Sequence, residues 1–314
     1  MDKVHPYLVE QFTSRGFLCE TMLNISYNEF VTLSDDFEGL LIRSKFTLDK
    51  NAIASKTNLK FIIRIGSGVE HIDVSFAANN GIKVISTPEA NAPAVAEHCL
   101  GMLLNALKKI STANAEVKEG KWLREKNKGS ELSAQTVGII GFGHTGKAFA
   151  KLLHALGCKI LVYDKFKTGF SETYIEEVAL EELLQRATVI SVHINYLPEN
   201  HYFINNDLLQ KAKQNPIFIN TSRGQIVNTA DLIFGMDEDY ISFACLDVLE
   251  YENVNLQIPP KEVWDDALLR LTSNKKVLLT PHTAGQTVEA ELRHAEVAIK
   301  KAETRFIASL LNNS

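Results

Sequence analysis

Short apolar runs alternate along this chain with longer stretches in which apolar residues recur at helical spacing. The runs are Gly39 to Arg43, Phe61 to Ile65 and Ile82 to Ile85, then Thr136 to Ile140, Ile160 to Tyr163, Val189 to His193 and Ile217 to Asn220. Two later runs, Ile241 to Asp247 and Lys276 to Thr280, extend the second group. A strand apolar at successive positions is buried on both faces, and an amphipathic stretch after each supplies the covering helix. The pattern predicts an α/β protein with parallel sheets covered on both faces.

Between the two groups, Ala92 to Val117 places Val95, Cys99, Met102, Leu103, Ala106 and Ile110 on one stripe, which predicts one long helix bridging two lobes. Thr287 to Leu311 reads as a last helix with Val288, Leu292, Ala295, Ala298 and Ile299 on its apolar face, able to cross back onto the first lobe. The start is unusual. Helix-like residues begin at Pro6, so either a very short strand within Met1 to Val4 opens the first lobe or that strand is missing. The boundaries that follow are 1–92 with 287–314 for one discontinuous domain and 93–286 for the other, with an active-site cleft between them.

Composition narrows the function classes. The 314 residues are 45% hydrophobic and 23% charged, which suits two buried cores in a soluble protein. A net charge of -5 and the lack of a dense basic run argue against a nucleic-acid partner. No apolar run approaches a membrane span and no leader opens the chain, so a cytoplasmic protein is expected, with no membrane partner. Cys19, Cys99, Cys158 and Cys245 form no CxxC pair, so they read as buried thiols, and no metal site is expected.

The run Thr136 to Ile140 leads into Gly141-Phe142-Gly143-His144-Thr145-Gly146 and then the amphipathic stretch Lys147 to Leu156. A GxGxxG loop between strand and helix lets backbone approach a pyrophosphate at the helix N-terminus. Eighteen residues beyond Gly146 the next strand ends at Asp164, whose carboxylate can accept both ribose hydroxyls of an adenosine and repel a 2′-phosphate. The expected cofactor is NAD, bound by a Rossmann-like domain. His144 reads as a solvent-facing position and His154 as a packing residue.

Three further strand ends carry chemical groups: Asn220-Thr221-Ser222-Arg223-Gly224, Leu246-Asp247-Val248-Leu249-Glu250-Tyr251-Glu252 and Thr280-Pro281-His282-Thr283-Ala284-Gly285. With Gly66-Ser67-Gly68-Val69-Glu70-His71-Ile72-Asp73, Ser86-Thr87-Pro88 and Val95-Ala96-Glu97, these motifs occur in an order that resembles the D-isomer-specific 2-hydroxyacid dehydrogenases over nearly the whole chain. The resemblance implies a flavodoxin-like substrate domain beside the Rossmann-like one, and a catalytic set of Arg223, Glu252 and His282. Imidazole suits a general acid/base near neutral pH, a carboxylate beside it fixes the ring, and a guanidinium fork clamps a substrate carboxylate. Glu250 is the fallback acid. The resemblance also implies cofactor contacts from His193, Thr221, Asp247 and Gly285, with Asp247 facing the nicotinamide amide, and a two-fold homodimer built on the bridging helix and the Lys121-Trp122-Leu123-Arg124 arm. Departures from the pattern are Asn253 in place of a proline, Glu70 in place of Asp, Ala90 in place of glycine, and His193-Ile194-Asn195-Tyr196-Leu197-Pro198-Glu199-Asn200 in place of HxPLTxET.

The partner is expected to be a small 2-hydroxy or 2-keto acid. Ser67 and Gly68 lie in a turn whose backbone N–H groups can hold a carboxylate. Arg43, Ser44 and Arg64 match places where the branch of the family acting on 3-phosphoglycerate carries substrate-lobe arginines, and a phosphate requires such cations. That reading points to oxidation of 3-phosphoglycerate to 3-phosphohydroxypyruvate in serine biosynthesis. The competing readings are surface or interdomain roles for these arginines with an unphosphorylated substrate such as glycerate, glyoxylate or lactate, and an NAD-binding regulatory protein on the same fold. With Ser314 directly after the last helix, no C-terminal regulatory domain is expected.

Overall fold

A computed structural model describes residues 4–34, 37–253 and 255–307. The chain divides into two compact units. The first comprises Met1–Ala92, Asn253–Leu256 and Gln286–Ser314; the second comprises Pro93–Glu252 and Gln257–Gly285.

The first unit is built on a parallel sheet in the order β1 (Gly39–Ile42), β2 (Phe61–Arg64), β3 (Lys83–Ser86). Alternate β2 side chains go to opposite faces, as the strand period requires. Phe61 and Ile63 meet Leu8, Phe12, Ile85, Ala295, Ala298 and Ile299, while Ile62 meets Phe30, Leu40, Ile42, Leu48 and Ile53. Among the described residues no strand precedes the helix Pro6–Thr13, which His5 caps by accepting from the Tyr7 N–H; Met1 to Lys3 lie outside the described residues.

The last helix, Val288–Ala302, packs on Pro6–Thr13, and Leu311 of its expected span lies outside the described residues. Its buried face is Ala290, His294, Ala295, Ala298, Ile299 and Ala302, whereas Val288 is 81% exposed and Leu292 36%. The expected stripe is therefore rotated. Small alanines let this helix approach closely, and a polar histidine takes the place that the larger apolar residues were expected to fill.

The second unit holds a seven-stranded parallel sheet in the order β10-β9-β8-β7-β4-β5-β6. The strands are β4 (Thr136–Ile140), β5 (Lys159–Tyr163), β6 (Glu176–Glu177), β7 (Val189–Val192), β8 (Ile217–Asn220), β9 (Phe243–Leu246) and β10 (Val277–Leu279). The chain builds outward from β4 to β6, returns to β7 on β4's other side, and then runs outward to β10. The reversal between β4 and β7 is the place where ligands bind in such sheets, beyond the carboxyl ends of the strands. Both faces are apolar, with Ile139, Phe149 and Val162 on one and Ile140, Leu161 and Phe218 on the other.

The bridging segment is two helices, Ala92–Lys108 and Ile110–Lys118. Lys109 turns left-handed at φ 54, and the Leu107 carbonyl accepts from the Ser130 N–H instead of the next helical turn. Asn105 Oδ1 takes the Ser111 N–H at 2.8 Å and starts the second helix. Val95, Cys99, Met102, Leu103 and Ala106 are buried in the sheet core, but Ile110 is 55% exposed. Cys99, Cys158 and Cys245 are buried free thiols, while Cys19 is half-buried. Among the described residues no helix is long and apolar enough to cross a membrane, and no group of three His, Cys, Asp or Glu could hold a metal ion.

Candidate active site

The glycine loop leaves β4 at Gly141, whose φ of 95 belongs to the left-handed region and whose Cβ position lies only 2.7 Å from the His193 carbonyl oxygen. A side chain fits there neither conformationally nor sterically. A Cβ on Gly146 would stand 2.2 Å from the Gly141 carbonyl oxygen, so the helix His144–Ala155 packs tightly on the loop. Gly143 faces open space and caps that helix without a side chain, which leaves a cradle at the positive end of the helix dipole. These features fit a dinucleotide pyrophosphate. The Phe142 ring is fully buried against Phe170, so only its backbone is available to a ligand. His144 is exposed and Thr145 half-buried at the first turn.

Asp164 ends the next strand and reaches back to the loop. One carboxylate oxygen accepts from the Phe142 N–H at 2.8 Å, and the other accepts from Phe166 and Lys167 N–H at 3.0 and 3.1 Å. These bonds fix the direction of the carboxylate. His193, just beyond β7, is buried beside Phe149 with its Nε2 2.9 Å from Ser191 Oγ, and burial pushes its pKa down to about 4. A neutral ring therefore backs the loop. His154 is exposed but stacks on Tyr174 at 4.6 Å.

The ends of β8, β9 and β10 converge. After β8, the Asn220 amide binds the Arg223 carbonyl at 3.0 Å while its oxygen accepts from the Ser222 N–H and hydroxyl at 3.0 and 2.7 Å, which shapes the loop presenting Arg223. Arg223 Nη1 lies 2.7 Å from the Ser222 carbonyl oxygen, and Thr221 Oγ1 sits 3.2 Å from Cys99 Sγ. Gly224 is pressed against the Leu249 carbonyl, which brings the loops after β8 and β9 together.

His282 Nδ1 lies 2.5 Å from Glu252 Oε2, and Glu252 Oε1 accepts from the Leu249 N–H at 2.6 Å. The carboxylate is thus held at both oxygens and orients the ring through Nδ1. His282 has a φ of 54, a conformation costing about 1–3 kcal/mol for a residue with a Cβ. Its backbone N–H donates to the Asp247 carbonyl at 2.8 Å. The Asp247 side chain, 1% exposed, accepts from Thr280 Oγ1 at 2.5 Å and from Thr283 and Ala284 N–H at 2.9 and 2.8 Å, with His98 Nε2 3.6 Å away. Both Asp247 oxygens therefore hold the turn that carries His282 and leads to Gly285. The fallback acid Glu250 is occupied elsewhere, accepting from the Tyr202 hydroxyl and, at 2.8 Å, from the Thr229 N–H.

In the first unit the candidate substrate residues gather beyond β1 and β2. Arg43 approaches Glu291 at 3.6 Å, and Ser44 follows it, half-buried. Arg64 Nη1 donates to the Ile65 carbonyl at 2.7 Å and lies over Gly66. Ser67 donates to Asn91 Oδ1 at 2.9 Å, and Gly68 is half-buried next to it. A cavity of about 680 Å³ in the same unit, walled by Phe12, Phe17, Leu40 and Phe61, includes none of these residues.

Residues 100–284 match the model of the D-isomer specific 2-hydroxyacid dehydrogenase NAD binding domain. The chain belongs to the D-2-hydroxyacid dehydrogenase family. It is 34% identical over 286 residues to a hydroxypyruvate reductase of Thermotoga maritima, covering 91% of this chain and 89% of that protein. It is 35% identical to a D-3-phosphoglycerate dehydrogenase of Archaeoglobus fulgidus, covering 90% of this chain but only 52% of that protein, so it spans about half of that relative's length. The crystal structure of a D-lactate dehydrogenase from Aquifex aeolicus, complexed with NAD and lactic acid, superposes with a TM-score of 0.81 at 26% identity, covering 98% of this chain and 95% of that one. This D-2-hydroxyacid dehydrogenase is an NAD-dependent oxidoreductase with two Rossmann-like α/β units, and NAD is its cofactor.

Sequence reasoning missed the residues that support this dehydrogenase's candidate groups. Asn220 was visible only as the end of a buried strand, where an amide needs partners. His98, which reaches Thr280 Oγ1 at 3.0 Å, carried no signal beyond its place on a buried helix.

Proposed function

We propose that this dehydrogenase interconverts a D-2-hydroxy acid and its 2-keto acid, with His282 as general acid/base, Glu252 as its orienting carboxylate and Arg223 as the substrate clamp. The observation that carries the reading is the 2.5 Å contact between Glu252 Oε2 and His282 Nδ1 at the end of β10. NADH, when bound, would supply the hydride that C2 receives in the reductive direction. His282 Nε2 then gives a proton to the 2-oxygen as the carbonyl becomes an alcohol, and Arg223 pairs with the carboxylate and draws electron density from the carbonyl. In the first unit, Ser67 and Gly68 offer backbone N–H groups suited to a carboxylate. Thr221, Asp247 and Gly285 serve the nicotinamide end of the cofactor, Asp247 through the turn it organises. Asp164 favours NAD over NADP, since a 2′-phosphate would face a fixed carboxylate.

For the substrate we propose 3-phosphoglycerate, with Arg43, Ser44 and Arg64 meeting the phosphate. A second reading, an unphosphorylated acid such as glycerate, glyoxylate or lactate, is favoured by one observation: Arg43 is turned toward Glu291, which a phosphate would have to displace. The deciding experiment follows NADH absorbance across 3-phosphohydroxypyruvate, hydroxypyruvate, glyoxylate and pyruvate, and their hydroxy partners in reverse. A kcat/KM at least about tenfold higher for the phosphorylated pair supports the first reading and the opposite order the second. Turnover of none of these pairs would overturn both substrate readings.

We further propose a homodimer paired through Ile110–Lys118 and the arm after it, where Ile110, Val117, Trp122 and Leu123 are exposed apolar residues. The reducing cytoplasm suits its free thiols. Sedimentation at micromolar concentration should give a species of twice the chain mass.

A further inference from the structure

The last helix contributes a buried histidine that none of the family's site motifs contains. His294 lies inside the first unit with its Nδ1 2.7 Å from Thr87 Oγ1. That hydroxyl accepts from the Gly66 N–H at 3.0 Å, and the Thr87 N–H returns a bond to the Gly66 carbonyl at 2.9 Å. The neighbouring residue, Ser67, is held on Asn91 at 2.9 Å. A small cavity lined by Val4, His5, Arg43, Ile65, Glu291 and His294 lies beside the ring.

The distances favour one direction for the bond between Thr87 and His294. A threonine hydroxyl has one proton. Because Oγ1 accepts from Gly66, its proton goes to Nδ1 at 2.7 Å in preference to the Gly66 carbonyl at 3.4 Å. The imidazole is then an acceptor at Nδ1 and carries its proton on Nε2. Burial, together with Arg64, Arg43 and Arg293 nearby, pushes the ring's pKa down to about 4 against the opposing pull of Glu89, so it is neutral at working pH.

We propose that His294 is a positioning residue for substrate recognition: through Thr87 it holds the Gly66-Ser67-Gly68 turn in the conformation that presents its backbone N–H groups to the substrate carboxylate. This inference rests on the proposed role of that turn. A protonated or missing acceptor at 294 would turn the Thr87 hydroxyl toward the Gly66 carbonyl and loosen the turn. The effect of His294 belongs to KM for the acid, because the NAD-binding residues lie in the other unit.

The test is steady-state kinetics of the full chain, with NADH affinity measured separately by fluorescence. His294→Phe keeps a ring and removes the acceptor, whereas His294→Asn restores an acceptor at the position of Nδ1. Expected are a KM for the 2-keto acid raised about tenfold by Phe, a KM within about threefold of the parent for Asn, and NADH affinity unchanged in both. Thr87→Val should reproduce the Phe effect, and the pair together should be no worse than either alone. The idea is overturned if Phe and Asn raise KM equally, or if neither His294→Phe nor Thr87→Val moves KM. Gly66→Ala separates this inference from the reading beneath it: a raised KM for Gly66→Ala with no effect at 294 or 87 overturns only the histidine's role, whereas no effect of Gly66→Ala overturns both.

Discussion

The two candidate ligand-binding regions of the NAD unit are built by opposite means. The loop after β4 works by lacking side chains, since its glycines are required where a Cβ would strike a carbonyl or close the cradle. The loops after β8, β9 and β10 work by side chains holding other side chains: Asn220 shapes the turn of Arg223, Asp247 holds the turn of His282, and the Leu249 N–H holds Glu252. The first design should tolerate no added atoms and the second no missing ones. Each can be broken in its own way.

The largest effect belongs to the region built of side chains. His282→Ala should lower kcat by about 10²–10⁴-fold while leaving NADH affinity within about threefold and the fold intact, because the ring's loss empties a partly exposed position. Stopped-flow or steady-state NADH absorbance checks the rate, and fluorescence titration the affinity. Near-normal turnover would return the Pro281-His282 turn to a purely structural role.

The next effect joins the two regions, since His193 backs the glycine loop. Its folded-state pKa of about 4 lies below the 6.5 of an unfolded histidine, so between these values the unfolded chain binds the extra proton. The stability it contributes is complete above pH 6.5 and is lost as pH falls toward 4, by up to about 3 kcal/mol. Urea unfolding at pH 7.5 and pH 5 should show the fall, and His193→Gln should reduce it, leaving the share of His294, whose pKa is also pushed down to about 4.

Smaller and more discriminating is the pair Asp247→Asn and Gly143→Ala. The amide of Asn can accept on one side only, so a donor among Thr280, Thr283 and Ala284 loses its partner, at a cost of about 1–3 kcal/mol with kcat lowered as well. Gly143→Ala meets open space and should leave the Tm unchanged, yet weaken NADH about tenfold by filling the cradle. A stability loss at Gly143, or none at Asp247, would erase the contrast.

The same contrast explains what could be read in advance. Strands buried on both faces and a glycine loop are local patterns, so β4, Gly141, Gly143, Gly146 and Asp164 were legible, as were the strand-end residues Arg223, Glu252 and His282. Asp247 was assigned toward the cofactor, but its bonds to Thr280, Thr283 and Ala284 come from a neighbouring strand end that sequence spacing does not reveal. The break at Lys109 was hidden for a similar reason: the Leu107 carbonyl is taken by Ser130, far along the chain. The last helix was misjudged in rotation because hydropathy ranks Val288 and Leu292 above His294, whereas close packing against Pro6–Thr13 favours alanines and the histidine's partner is Thr87.

The central claim is that Glu252 and His282 act as one proton-transferring unit, and its most direct test is a double-mutant cycle on kcat with Glu252→Gln and His282→Ala. If the carboxylate works only through the ring, the double variant should be within about threefold of His282→Ala alone. If instead the two losses multiply, Glu252 acts on the reaction independently and the coupled pair at the end of β10 is not the machinery of this dehydrogenase.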